Sequence, residues 1–113
     1  MFVIDSSNKI KIVQGDTGVI NLKLSNYNLS DGDEVKFAVT LKETMPLVIE
    51  KTITSFEEDG SARITLNGED TLDLNPGNYL YEIQVKTIDG RIDTVITATK
   101  FTIMEGIIYG WFN

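Results

Sequence analysis

Cysteine and histidine are both missing from this chain. Without cysteine there is no disulfide framework and no thiolate metal site, which fits a reducing compartment. Without histidine the usual general base, the commonest zinc ligand and the usual pH switch are gone together. Basic residues are scarce: ten Lys and Arg stand against 17 Asp and Glu, for a net charge of −7. Those ten are scattered, with no two adjacent, whereas phosphate binding needs clustered cations. The balance speaks against a nucleic-acid partner, and equally against an anionic membrane surface. No apolar run approaches the ~20 residues that a membrane helix needs. The opening MFVIDSSNK turns polar too early for a secretory apolar stretch. Helical periodicity is lacking as well, since no long window sustains an i, i+3, i+4 apolar pattern.

What the chain does have is alternation. Its 113 residues suit one domain, and 42% of them are hydrophobic. Ile20, Leu22 and Leu24 fall on one face of TGVINLKLSN, and Val35, Phe37, Val39 and Leu41 on one face of DEVKFAVTL. Ala62, Ile64 and Leu66 repeat the pattern, as do Tyr79, Tyr81, Ile83 and Val85, with Glu82, Gln84 and Lys86 opposite. Side chains switch face at every strand step, so these are half-buried strands with one wet side. Turn residues punctuate them: NLSDGDE at 28–34, EEDGS at 57–61, NGED at 67–70, and Asp89-Gly90. Asp-Gly suits a type I′ hairpin with positive φ at both central residues. In the last strand the apolar parity shifts between Ile92 and Ile96 on one side and Phe101 and Ile103 on the other, which predicts a bulge near 97–100 or a strand that changes partners. The fold expected is all-β, an immunoglobulin-like antiparallel β-sandwich of about seven to eight strands.

The stretch LNPGNY has the form of a tyrosine corner. Leu74 would plug the core, Pro76 and Gly77 would turn the chain between sheets, and Tyr79 would bond back to upstream backbone. Tyr81 would take the inward position that antibody domains give to cysteine. All of these are structural roles.

Catalysis has little to draw on, and no catalytic residue is assigned. The carboxylates cluster in loops: Asp31, Asp33 and Glu34; Glu57, Glu58 and Asp59; Glu69, Asp70 and Asp73. Aspartate is a good turn residue in its own right, so solvated turns are the expected role. DGDE at 31–34 offers hard oxygen donors for calcium but lacks the twelve-residue loop of an EF-hand. No metal and no cofactor is therefore expected. The sandwich is expected over 1–104. The segment 105–113, EGIIYGWFN, crowds Ile107, Ile108, Tyr109, Trp111 and Phe112 between glycines. Such residues suit an interface, a cap over the sandwich, or the start of a longer chain.

The order of these motifs resembles the immunoglobulin-like N-terminal domain of phage baseplate upper proteins. Gln14, Gly15, Asp16 and Thr17 match its lead-in to the second strand. Gly77, Tyr79, Tyr81 and Ile83 match its G-x-Y-x-Y strand, Asp89 and Gly90 its hairpin, and Thr94-Val95 its last strand. The resemblance implies a non-enzymatic assembly module of a phage or prophage tail tip. It would be made in the bacterial cytoplasm and carried in the virion, with other tail or baseplate proteins or a second copy as partners. The alternative is a carbohydrate-binding or adhesin-type sandwich, presenting Trp111 with Tyr109 or Tyr27.

Overall fold

A computed structural model describes residues 1–108 of the chain. In order it contains β1 (Phe2–Ile4), β2 (Ile10–Val13), β3 (Gly18–Leu22), β4 (Glu34–Thr40), β5 (Leu47–Ile53), β6 (Ala62–Leu66), α1 (Gly68–Leu72), β7 (Gly77–Lys86) and β8 (Ile92–Met104). Six strands form one sheet in the order β1-β2-β8-β7-β4-β5, and β3 pairs with β6 in a second. The two sheets face each other as a sandwich.

The period-two residues meet between them. From the small sheet come Ile20, Leu22, Ala62, Ile64 and Leu66, and from the large one Ile10, Ile12, Val35, Phe37, Val39, Tyr81, Ile83, Phe101 and Ile103, all buried. Phe37, Tyr81 and Phe101 form the centre of this layer. Their ring centroids lie 5.6 to 6.2 Å apart in tilted and edge-on arrangements, the geometry that aromatic quadrupoles favour. The Tyr81 hydroxyl donates to the Asn8 carbonyl and so pins the β1–β2 turn to the core. Leu24 is only half-buried, and Leu41, expected inside, is exposed because β4 ends at Thr40 and the chain leaves the sheet there.

Three details correct the sequence reading. The sandwich is not purely antiparallel, because β2 runs parallel to β8, pairing Ile10 with Phe101 and Ile12 with Ile103. No hairpin joins these two strands, so nothing in the connection imposes an antiparallel pairing, and the parallel one still points all four side chains inward. The Asp89-Gly90 turn is not type I′. The Thr87 N–H donates to Arg91 O at 2.9 Å and the Gly90 N–H to Thr87 O at 2.8 Å, with positive φ at Gly90 and not at Asp89. This is a three-residue loop with a left-handed last position. Glu57–Ser61 and Asp5–Lys9 close in the same way, with Gly60 and Asn8 in the left-handed place. Finally, NGED is the start of a helix as well as a turn. Asn67 precedes α1, and Asp70 Oδ2 accepts from the Asn67 N–H at 2.7 Å.

The bulge expected in the last strand is present. Tyr81 pairs with Thr99 but Ile83 with Ile96, which places the extra residue at Thr97–Ala98. A second irregularity follows, since Gln84 pairs with Thr94.

Two outcomes follow from this core. Burial, reinforced by the charge of Asp5, pushes the Tyr81 hydroxyl up to about 12. A folded-state value above the unfolded one, about 10, means its contribution is intact below pH 10 and lost as pH rises toward 12. Alkaline unfolding followed by fluorescence should therefore begin in that window and lose this component in Tyr81→Phe.

Candidate functional site

The two ends of the resemblance meet in space, on one end of the sandwich. The Tyr79 hydroxyl donates to Asn75 O at 2.7 Å, which closes the corner as expected. Leu74 packs against the core from the segment that carries the chain from the small sheet to the large one, and Gly77 opens β7. Pro76 is exposed in that crossing. The lead-in to β3 locks onto the same segment. Gln14 Nε2 donates to Leu74 O at 2.8 Å, and the Gly15 N–H donates to Thr71 Oγ1 at 2.9 Å. Thr71 is fully buried. The sequence carries no local signal for that role, because its partner lies in a different motif. Gly106 closes the cluster: a Cβ there would come 2.9 Å from Gln14 O. The polar contacts here run to backbone and hold the strands in place.

The acidic loops behave similarly. Asp33 was expected in water and is instead 1% exposed. Its carboxylate accepts from the Tyr27 hydroxyl at 2.9 and 3.1 Å, from the Ser30 N–H at 3.0 Å and from the Ile88 N–H at 2.9 Å. Burial alone pushes this carboxyl up, but the bonds from Ser30, Tyr27 and Ile88 outweigh it and hold Asp33 below the ordinary carboxylate value. The bond to Asp33, then burial, raises the Tyr27 hydroxyl. Tyr27 is thereby committed to the fold and does not present itself as a stacking platform for a sugar. The Ile88 side chain lies over Gly32, where a Cβ would meet its Cδ1 at 2.5 Å, so the 27–33 loop and the β7–β8 turn form one unit.

Asp59 accepts from the backbone and hydroxyl of Ser61, and Asp70 pairs with Lys51 at 2.8 Å. Among the described residues no group of three or more Asp or Glu is placed to hold a metal ion.

Among the described residues several surface regions keep side chains the fold does not use, and two of them adjoin the free edges of the large sheet. One is the β5 edge. Leu47 and Val48 are exposed there, beside Leu41 and Met45 of the β4–β5 turn. Val48 is squeezed out of register, since Val39 pairs with Ile49 but Thr40 with Leu47. A depression of about 470 Å³ adjoins this edge on the outer face, lined by Ala38, Thr40, Leu47, Leu80, Glu82 and Ala98. It exists because small residues and the Thr97–Ala98 bulge fall mid-sheet. The other region lies at the far edge, where a depression of about 350 Å³ gathers Lys9, Lys11 and Lys100 with Val3, Asp5 and Thr102. The cations read as scattered along the chain are brought together here by the β2–β8 pairing.

Of the C-terminal interface residues, Ile107 and Ile108 are exposed, at 88% and 66%. Tyr109, Trp111 and Phe112 lie outside the described residues.

No family model matches the chain, and no curated protein does. Among solved structures it is similar to CopC from Methylosinus trichosporium OB3b, at 19% identity, over 87% of this chain and 85% of that one, with a TM-score of 0.50. The likeness supports the β-sandwich. The match to CopC overturns the reading of a phage or prophage tail-tip or baseplate assembly module. The carbohydrate-binding or adhesin alternative gains no support either. The physical reason is visible above. Gln14, Gly15, Tyr79, Tyr81 and Gly90 are occupied by turns, core contacts and backbone bonds, and such residues specify a sandwich whatever it does.

Because the Asp33 carboxyl is depressed in the fold, its contribution is present above the unfolded value, about pH 3.9. It is lost as pH falls through the lower folded value. Asp33→Asn should cost about 1–3 kcal/mol at neutral pH, since one buried backbone N–H then faces an amide NH2. The same variant should show a flatter loss of stability below about pH 4. Urea unfolding at pH 7 and pH 3 checks both.

Proposed function

We propose that this chain is a non-catalytic protein-binding module that takes an extended segment of a partner protein onto the free edge of β5. The observation that carries the reading is how that edge is left open. Natural sheets protect their edges with short strands, proline, bulges or outward charges, and the one irregularity of the β4–β5 pairing falls at the start of β5, leaving Ile49–Ile53 regular. β5 has seven residues and no proline within it. Its two charged residues are already engaged: Glu50 pairs with Lys36 of the neighbouring strand at 3.7 Å, and Lys51 with Asp70 at 2.8 Å. What faces outward beyond them is backbone and the apolar side chains of Leu47 and Val48. An added strand would satisfy the edge N–H and C=O groups and cover those side chains.

The test uses a library of eight-residue extended peptides with alternating apolar and polar positions. Selected binders should shift the backbone amides of residues 47–53 and slow their hydrogen exchange. The double substitution Leu47→Lys, Val48→Lys should abolish binding while leaving the melting temperature within a few degrees. Two results would defeat the reading: binders that map away from β5, or a free chain whose β5 amides are already protected by self-association in a concentration-dependent way.

A further inference from the structure

The second open region differs in character from the first. Lys9, Lys11 and Lys100 make up three of the ten cations of a chain with net charge −7, and they line one cleft on the outer face at the opposite edge of the sheet. All three are exposed, and among the described residues none of them forms an ion pair. Their placement follows from register. Lys11 sits opposite Val3 on one side and Thr102 on the other. Lys9 and Lys100 each stand one residue before the paired Ile10 and Phe101, so they share a level. Lys9 and Lys11 are therefore two residues apart along one face, a spacing of about 6.8 Å on an extended chain. Carboxylates at alternate positions of an extended peptide have that same spacing.

The cleft has one acid of its own. Asp5 Oδ1 accepts the N–H groups of Ser7 and Lys9 at 2.8 and 3.0 Å, closing the β1–β2 turn. Three lysines thus stand against one carboxylate, and the cleft keeps a net positive charge whose self-repulsion an anionic ligand would relieve. Thr102 stands beside Lys11, its hydroxyl donating to Asn78 Oδ1 at 2.9 Å, so the lysines are the ligand-binding groups of the cleft. The exposed Val3 lines the cleft on the β1 side of Lys11.

We infer that this cleft binds an acidic extended segment of a partner protein, with carboxylates at positions i and i+2 seated on Lys9, Lys11 and Lys100. Charge complementarity selects the ligand sign, and size selects the class. A cleft of about 350 Å³ admits a few side chains. A nucleic-acid backbone needs a longer cationic track and would meet the repulsion of the remaining acidic surface. This site is independent of the β5 edge, and either can fail without the other.

The experiment titrates full-length protein with an acetylated, amidated peptide Glu-Val-Glu-Val-Glu and with its Gln-Val-Gln-Val-Gln counterpart, by amide chemical shift at low ionic strength. The acidic peptide should bind, shift residues 9–11 and 100–102, and weaken as salt is raised. The neutral one should not bind. Lys11→Gln with Lys100→Gln should weaken the acidic peptide about tenfold, the loss expected from two exposed charge contacts. Lys36→Gln, on the far side of the sheet, should change nothing. The substituted lysines are exposed, and an unchanged melting temperature confirms that the fold is intact. The inference fails if the acidic peptide does not bind at low salt, or if the double variant binds it equally well. It fails also if a single-stranded oligonucleotide of equal charge binds more tightly, which would assign the cleft to nucleic acid.

Discussion

Two strands have to cover six. The β3–β6 sheet contributes Ile20, Leu22, Ala62, Ile64 and Leu66 as its buried apolar residues, and these cannot roof the whole inner face of β1-β2-β8-β7-β4-β5. The centre is closed by size: Phe37, Tyr81 and Phe101 fill the space under the small sheet. The flanks are closed by loops. Phe2 lies over Gly18, where a Cβ would come 2.4 Å from its ring, and Leu29, Tyr27, Phe56 and Leu74 cover the remaining margins. Each covering loop has to be fastened, because a loop over a core carries backbone groups that must find partners. Asp33 fastens one, Thr71 with Gln14 another, and Tyr79 the third. The unequal sheets therefore account both for the buried polar bonds and for two strands that project past the roof as open edges.

Much of this was legible locally. Alternation placed nearly every core side chain, and the parity change in the last strand placed a bulge within 97–100, where the pairing sets it at Thr97–Ala98. The corner was readable because all its parts lie within six residues, Leu74 to Tyr79. What escaped depends on partners distant in the chain. Asp33 looks like any turn aspartate until Ile88 and Tyr27 surround it. Thr71 gives no hint of Gly15. Lys9, Lys11 and Lys100 become a cluster only through a parallel pairing that nothing in the sequence announces. Asp89-Gly90 misled for a different reason, since the dipeptide serves both a two-residue hairpin and a three-residue one, and Thr87 with Arg91 decides between them.

Function was harder to read than fold because the distinctive residues are consumed by the fold. The motifs whose order resembles baseplate proteins describe how a chain crosses between sheets and locks there. Their conjunction at one end of the molecule, Gln14 on Leu74 beside Tyr79 on Asn75, explains why they occur together without reference to any role. The surfaces free to act are assembled from residues of ordinary type, and only their placement distinguishes them.

The parallel pairing of β2 with β8 also has a mechanical meaning. These strands lie toward opposite ends of the chain, and they run side by side over four paired positions. A force drawn between the two ends would first peel away the short β1 hairpin, whose three pairs open one at a time. It would then pull β2 and β8 in opposite directions along their common axis. Their hydrogen bonds would be loaded together, in shear, and would have to yield almost at once. The same contact that closes the sandwich at its edge thus makes it stiffest along the line joining its ends, a direction in which a purely antiparallel meander would unzip.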